Sequence, residues 1–185
     1  MSLCMLCANP KVSGRGQRFC RECKTLSPGS AGRAAAIQRF WNKVDRSSGK
    51  GACWTWMASR QKDGYGTFGV GRQMFLAHRL SYEWETGEVA KAIDHVCHNR
   101  ACVNPAHLRS VTTKQNSENR LGASSRSRSG VRGVSRNPSG RWQARVCHNG
   151  AEIHVGMFDT IAEAEAAVRE KRRELFTHND MDRIA

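Results

Sequence analysis

The run 93-IDHVCHNRACVNPAHLRSVTTKQNSENR-120 concentrates more chemistry than any other part of the chain. Asp94-His95 stands where a predicted strand ends, and Cys97, Cys102 and His107 follow at intervals of five and five. Asn104-Pro105 reads as an N-cap followed by proline at the first helical position, where a missing N–H costs nothing. Residues 113–120 read as a helix carrying two amides one turn apart, Asn116 and Asn119. The pattern mixes short strands with short helices, which points to a small α+β fold.

Working outward, residues 37–44 (IQRFWNKV) show helical apolar spacing, and residues 65–70 and 73–77 flank Gly71-Arg72 as a hairpin. A helix over residues 76–86 has a natural stop at Gly87. Beyond residue 129, three short strands are expected at 131–136, 141–146 and 152–156. The turns between them are Asn137-Pro138-Ser139-Gly140 and Asn149-Gly150. Residues 160–176, rich in Ala, Glu and Arg, close the series as a helix. Residues 24–36 (KTLSPGSAGRAAA) and 121–129 (LGASSRSRS) read as linkers. Three modules result: residues 1–30, 37–120 and 129–176. Each is too small for a generous core, so bound metal would be useful in two of them.

The chain has 185 residues, with 30 Lys+Arg against 16 Asp+Glu and a formal net charge of +14. Arg126, Arg128, Arg132, Arg136, Arg141 and Arg145 all precede the first acidic residue of the last module. An excess of this size points to a polyanion partner, because each phosphate contact releases condensed counterions. Charge alone does not separate a nuclease from a repressor or a ribosomal protein. No apolar stretch approaches the roughly 18 residues of a membrane span, and the first residues lack a signal-peptide pattern. The expectation is a soluble, intracellular protein with no membrane partner.

The cysteines divide into a group of four, a group of three and Cys147. Cys4-x-x-Cys7, then twelve residues, then Cys20-x-x-Cys23, is a strong zinc signature. Two such turns complete a closed tetrahedral site with no open position, so its role should be structural. Residues 1–30 hold few large apolar side chains and should not fold without that ion. Arg15, Arg18 and Arg21 lean this knuckle towards nucleic acid.

Residues 52–120, from Cys-Trp-Thr-Trp at 53–56 through His78-Arg79 to the Asn116–Arg120 segment, resemble the HNH family. Within it they are similar to the His-Cys box homing endonucleases, built on a ββα-metal finger. The resemblance implies a structural zinc on Cys97, Cys102 and His107, with Cys53 as fourth ligand. A core thiol is the alternative for Cys53, and His98 is a rival ligand off the five-five pattern. It implies a second, catalytic Mg²⁺ or other divalent cation on Asp94 and Asn116, since small hard cations prefer few protein oxygens. Asn119 is the alternative amide, and for Asp94 the alternative is to orient its neighbour only. His95 would be the general base, its imidazole neutral near pH 7, with 5′-phosphate and 3′-hydroxyl products. In this family an arginine near Arg79 approaches the cleaved strand; a phosphate contact or a solvated arginine are the other readings.

Ser129-Gly-Val-Arg-Gly-Val-Ser, Gly140-Arg-Trp-Gln-Ala-Arg, Val155-Gly-Met-Phe-Asp-Thr and Ala162-Glu-Ala together resemble the APETALA/ethylene-response-factor DNA-binding domain. That resemblance implies a three-stranded antiparallel sheet on one helix, with the sheet laid in the major groove. Arg132, Arg136, Trp142 and Arg145 should then face DNA, Arg132 and Arg136 on one strand face. Plant members carry a denser arginine run and a second tryptophan, where this chain has Ser135 and Ser139. Domains of this type also occur fused to HNH nucleases.

The combined expectation is an α+β, multi-module zinc protein acting as an HNH homing-type DNA endonuclease of phage or mobile-intron character. It would work on double-stranded DNA in a bacterial cytoplasm, with two structural zinc ions. An asymmetric monomer that nicks is favoured over a homodimer that cuts both strands. The competing reading is a non-catalytic zinc-containing DNA-binding regulator.

Overall fold

The computed structural model describes residues 31–71 and 73–184; the expected zinc knuckle with Cys4, Cys7, Cys20 and Cys23 lies outside the described residues. The chain divides into two compact units at Ser110/Val111. That division falls ahead of the Ser/Arg run at 121–129, so the helix expected to finish the middle module belongs with the C-terminal residues.

In the first unit, helix α1 spans Ala31–Trp41. Part of the stretch read as a linker is therefore helical, because Ala34, Ala35 and Ala36 favour helix strongly enough to carry Gly32. The helix stops at Trp41 instead of running to residue 44, where the chain enters β1 (Val44–Asp45). Strand β1 pairs antiparallel with β2 (Thr55–Trp56), Val44 opposite Trp56. The expected hairpin is β3 (Thr67–Val70) with β4 (Gln73–Leu76), Val70 opposite Gln73. Gly71 starts its turn at φ 59°, a left-handed position that glycine occupies without penalty.

Helix α2 (Ala77–Thr86) follows directly and ends as expected: Gly87 sits at φ 73° and its N–H donates to the Glu83 carbonyl at 2.7 Å. Strand β5 (Ala92–His95) pairs with β6 (Leu108–Val111), and a single 3-10 turn, Pro105–His107, leads into β6. The core is aromatic. Phe40 and Trp56 are fully buried, 4.8 Å apart between ring centroids, and Phe40 meets Phe68 at 5.3 Å and Trp84 at 5.0 Å. Leu80 and Val103 close the same cluster. Truncating Phe40 or Trp56 to Ala should cost about 3–5 kcal/mol. Gly66 packs so tightly on the Trp56 indole that a Cβ there would approach it to 2.6 Å.

The second unit opens with α3 (Thr113–Glu118), started by a capping box in which Thr112 Oγ1 accepts from Gln115 N and the Gln115 side chain accepts from Thr112 N. Strands β7 (Val134–Arg136), β8 (Trp142–His148) and β9 (Ala151–Phe158) form one antiparallel sheet in the order β7-β8-β9. A bulge interrupts the β8–β9 register at Ala144/Arg145. The two-residue turn Asn149-Gly150 has φ 52° and 80°, the paired positive values of a hairpin turn whose twist suits the strands. Helix α4 (Ile161–Leu175), with a Thr160/Glu163 capping box, covers the sheet. Ala144 and Val146 point inward to Ala164 and Val168, with Val134 and Phe176 beside them. Helix α5 (Asp180–Ile184) ends the described chain.

One expected strand is shorter than anticipated. Residues 131–133 form a turn, with Val134 N donating to the Val131 carbonyl, and Gly133 takes φ 83°. Arg132 therefore lies outside the strand and does not share a strand face with Arg136.

Candidate active site and metal centre

Backbone pairing brings Cys53 to the 93–107 segment. Trp56 N donates to the Ala101 carbonyl at 2.9 Å and Val103 N to the Trp54 carbonyl at 2.8 Å, an isolated bridge centred on Thr55 and Cys102. Asn104, 1% exposed, fastens the same two stretches from its side chain. Its Nδ2 donates to the Lys50 and Ala52 carbonyls at 3.0 and 2.7 Å, while its Oδ1 caps the 3-10 turn by accepting from Ala106 N.

Within this frame the ligand atoms of Cys53, Cys97, Cys102 and His107 all lie within 4.8 Å of one another. His107 Nδ1 is 3.6 Å from Cys53 Sγ and 3.6 Å from Cys102 Sγ. A tetrahedral zinc with Zn–S near 2.3 Å and Zn–N near 2.0–2.1 Å has S···N edges of about 3.6 Å. His107 Nε2 donates to the Gly51 carbonyl at 3.2 Å, which fixes the tautomer and leaves Nδ1 its lone pair. Asn104 N also donates to Cys102 Sγ at 3.4 Å. The Cys102 contact holds the Cys97 thiol down at about 4, while the same contact and burial push Cys102 up. Three crowded sulfurs and one ring nitrogen form a donor set suited to a soft cation. The residues fit structural zinc, and His98 is not one of the four.

The neighbouring pair is Asp94-His95 at the end of β5, each 6% exposed. His95 Nε2 lies 3.1 Å from the Cys102 carbonyl. A carbonyl only accepts, so Nε2 carries the proton and Nδ1 the lone pair. Burial draws the His95 pKa below the ordinary histidine value, favouring the neutral ring. Arg109 donates to Asp94 Oδ2 from Nε at 2.9 Å and from Nη2 at 2.8 Å. The carboxylate thus has a positive partner already.

Two aromatic neighbours of His95 escaped the sequence reading. His78 lies 4.8 Å from it and Tyr65 5.8 Å, centroid to centroid, with Arg100 over the Tyr65 ring at 5.4 Å. His78 is only one histidine on an apolar helix face, and Arg109 only one more basic residue in a basic chain. Neither carries a local signal.

Residues 75–118 match the HNH endonuclease family model. The matched HNH endonuclease segment runs from β4 through α3 and includes Asp94, His95, three of the four clustered ligands and Asn116. Over these residues the chain is similar to HNH endonucleases, which supports a nuclease acting on DNA. No curated protein and no solved structure matches the chain.

The remaining site candidates divide between the units. Asn116, on α3 in the second unit, is exposed, whereas Asn119 is buried and its Oδ1 accepts from Asp180 N at 3.3 Å. Arg79 is tied to the 90–91 loop, donating to the Ala90 and Lys91 carbonyls. Arg136 donates to the Gly140 carbonyl at 3.0 Å and lies over Trp142, whose ring packs on the core beneath. Arg145 pairs with Glu152 across the sheet at 2.9 Å. Arg132 does not face outward with them: it donates to the Ser117, Glu118 and Arg120 carbonyls at 2.9, 3.0 and 3.3 Å.

Proposed function

We propose that the protein is a homing-type HNH endonuclease that hydrolyses DNA phosphodiester bonds, with His95 as general base. The observation that carries this reading is the His95–Cys102 hydrogen bond. It directs the Nδ1 lone pair away from the metal cluster, and burial keeps the ring neutral and ready to take a proton from water. The deprotonated water attacks phosphorus and the 3′ oxygen leaves, giving 5′-phosphate and 3′-hydroxyl ends. In this reading Asp94, whose carboxylate Arg109 also holds, and Asn116 would supply the hard oxygen donors of a divalent cation. Such a cation, when bound, would stabilise the leaving 3′ oxygen and the phosphoryl charge. A zinc ion, when bound, would be held by Cys53, Cys97, Cys102 and His107, and would fix the segment that orients His95 without entering the reaction.

The β7-β8-β9 sheet with α4 behind it suits the APETALA-like reading, as a face laid on duplex DNA with Arg136 and Arg145 towards the phosphates. Plasmid DNA incubated with the full chain should be nicked or cut in Mg²⁺ and left intact in EDTA. His95→Ala should lower the rate by about 10²–10⁴-fold while DNA affinity stays within a few-fold. Tight binding with no cleavage of any DNA in any divalent cation would make the protein a DNA-binding regulator instead.

A further inference from the structure

Three arginines of the first unit neighbour the Asp94–His95 pair or the rings packed on it, and two are committed to the fold. Arg109 gives Nε and Nη2 to Asp94 Oδ2. Arg79, the arginine that the HNH resemblance points to, donates to the Ala90 and Lys91 carbonyls. A guanidinium spent on a carboxylate or on backbone carbonyls has little left for a phosphate.

Arg100 is placed differently. It is exposed, and among the described residues its guanidinium makes one hydrogen bond, from Nη1 to the Asp63 carbonyl at 3.0 Å. Two pieces of backbone set that position. Residues 61–64 turn tightly, with Gly64 N donating to the Gln61 carbonyl at 2.9 Å and Gly64 at φ 92°, a left-handed value that glycine takes without penalty. A Cβ on Gly64 would stand 3.8 Å from the Arg100 Cβ, so the turn lies directly against this arginine. On the other side, Asn99 closes the 99–102 loop by accepting from Ala101 N on Oδ1 and from Cys102 N on its carbonyl, each at 3.0 Å.

The guanidinium lies over the Tyr65 ring, 5.4 Å from its centroid. Tyr65 in turn stands 5.8 Å from His95 and 5.3 Å from His78. The Arg100 charge reaches the His95 ring, where burial first and the guanidinium second oppose protonation. With one face on an aromatic ring and Nη1 on a carbonyl, the fork is held in place while Nε and Nη2 still point donors outward. A planar fork with parallel N–H groups matches two oxygens of a phosphate, and an arginine already held loses less freedom on binding.

We propose that Arg100, supported on the Tyr65 ring, is the phosphate-binding residue of the site at His95, and that its ligand is a backbone phosphate of DNA. This rests on the reading of His95 as base: the phosphate held by Arg100 is the one attacked by the water that His95 deprotonates.

The test uses the full, zinc-loaded chain with a short DNA duplex in buffer free of Mg²⁺, so that binding is read without cleavage. Fluorescence anisotropy across a salt series gives the slope, and NMR of the His95 ring reports whether DNA arrives there. Arg100→Ala should make the log–log slope shallower by about 0.9, the loss of one phosphate contact, and DNA should no longer shift the His95 ring signals. Arg100→Lys, which keeps the charge without the fork, should keep the slope. Tyr65→Leu should weaken binding by about 2–5-fold at unchanged slope, as for a cation–π contact at an exposed site. Zinc content equal to wild type in each variant shows that the neighbouring cluster is intact. A wild-type slope for Arg100→Ala, with a shallower one for Arg79→Ala, hands the phosphate to Arg79 and overturns the proposal. A shallower slope for Arg100→Ala with His95 signals that still shift as in the wild type puts Arg100 on a phosphate away from His95 and also overturns it. Wild-type cleavage by His95→Ala in Mg²⁺, beside the expected binding results, overturns the base and leaves the Arg100 site standing.

Discussion

His78 stands against His95 with ring centroids 4.8 Å apart and planes at 60°. One histidine is the proposed base; the other is 5% exposed, and its Nδ1 is buried with no hydrogen-bond partner among the described residues. The arrangement places a second buried titratable ring directly against the base.

Burial above all, with the cost of charging two adjacent rings together and the charge of Arg79, lowers the His78 pKa to about 3. An unfolded histidine titrates near 6.5. Between those values the unfolded state holds one more proton, so stability falls as pH drops, by about 1.4 kcal/mol per unit. Chemical denaturation of the wild type and His78→Phe at pH 6.5 and pH 5 should show the wild type losing about 2 kcal/mol more than the variant. Comparing the two cancels proton uptake by the zinc ligands. Equal losses would show that His78 is already paired or solvated.

Cys53 supplies the one ligand remote in sequence from the other three, so its loss tests the metal centre most directly. Cys53→Ser should lower the zinc content by one ion per chain relative to wild type, measured by elemental analysis. The melting transition of the first unit should drop or vanish, since ligand binding is part of folding there. An unchanged zinc content would return Cys53 to the role of a core thiol.

Asp94 is 7% exposed at its side chain while Arg109 is 27% exposed. Breaking a buried pair costs roughly 3–5 kcal/mol, and the partial exposure of Arg109 puts Arg109→Gln at or below the low end. If Asp94 can also serve a hard cation, millimolar Mg²⁺ should restore part of the lost melting temperature in Arg109→Gln and do less for the wild type. No Mg²⁺ effect on the variant would confine Asp94 to orienting its neighbours.

Arg145 and Glu152 form an ion pair across β8 and β9. If the sheet lies on DNA, Glu152 holds back part of the charge that Arg145 could present to a phosphate. Glu152→Gln should therefore bind duplex DNA more tightly and with a steeper salt slope, and Arg145→Ala more weakly, by up to about 0.9 in slope. Equal affinities for both variants, in fluorescence anisotropy across a salt series, would take this strand face off the DNA.

The elements with local signals were legible from residues alone. Gly87 stopped α2, Asn104-Pro105 opened the 3-10 turn, and Asn149-Gly150 made a hairpin, because each depends on one or two side chains and their own backbone. The five-five spacing likewise pointed to the group that the fold gathers with Cys53. What stayed hidden depends on partners distant in sequence. Arg132 sits 14 residues from Glu118 and 40 from Arg172, and nothing in Gly-Val-Arg-Gly distinguishes an arginine bound for helix carbonyls from one bound for phosphate. The start of α1 was missed for another reason. Gly32 and Arg33 interrupt the apolar pattern, and helix propensity in the alanine run outweighed the missing periodicity.

Cys102 offers its sulfur to the metal cluster and its carbonyl to His95. One residue thus joins a step of assembly to a step of chemistry. A chain synthesised where zinc is scarce would still possess every catalytic side chain, yet the carbonyl that orients the base would have no fixed position. With His95 as the proposed base, nuclease competence would then follow metal supply.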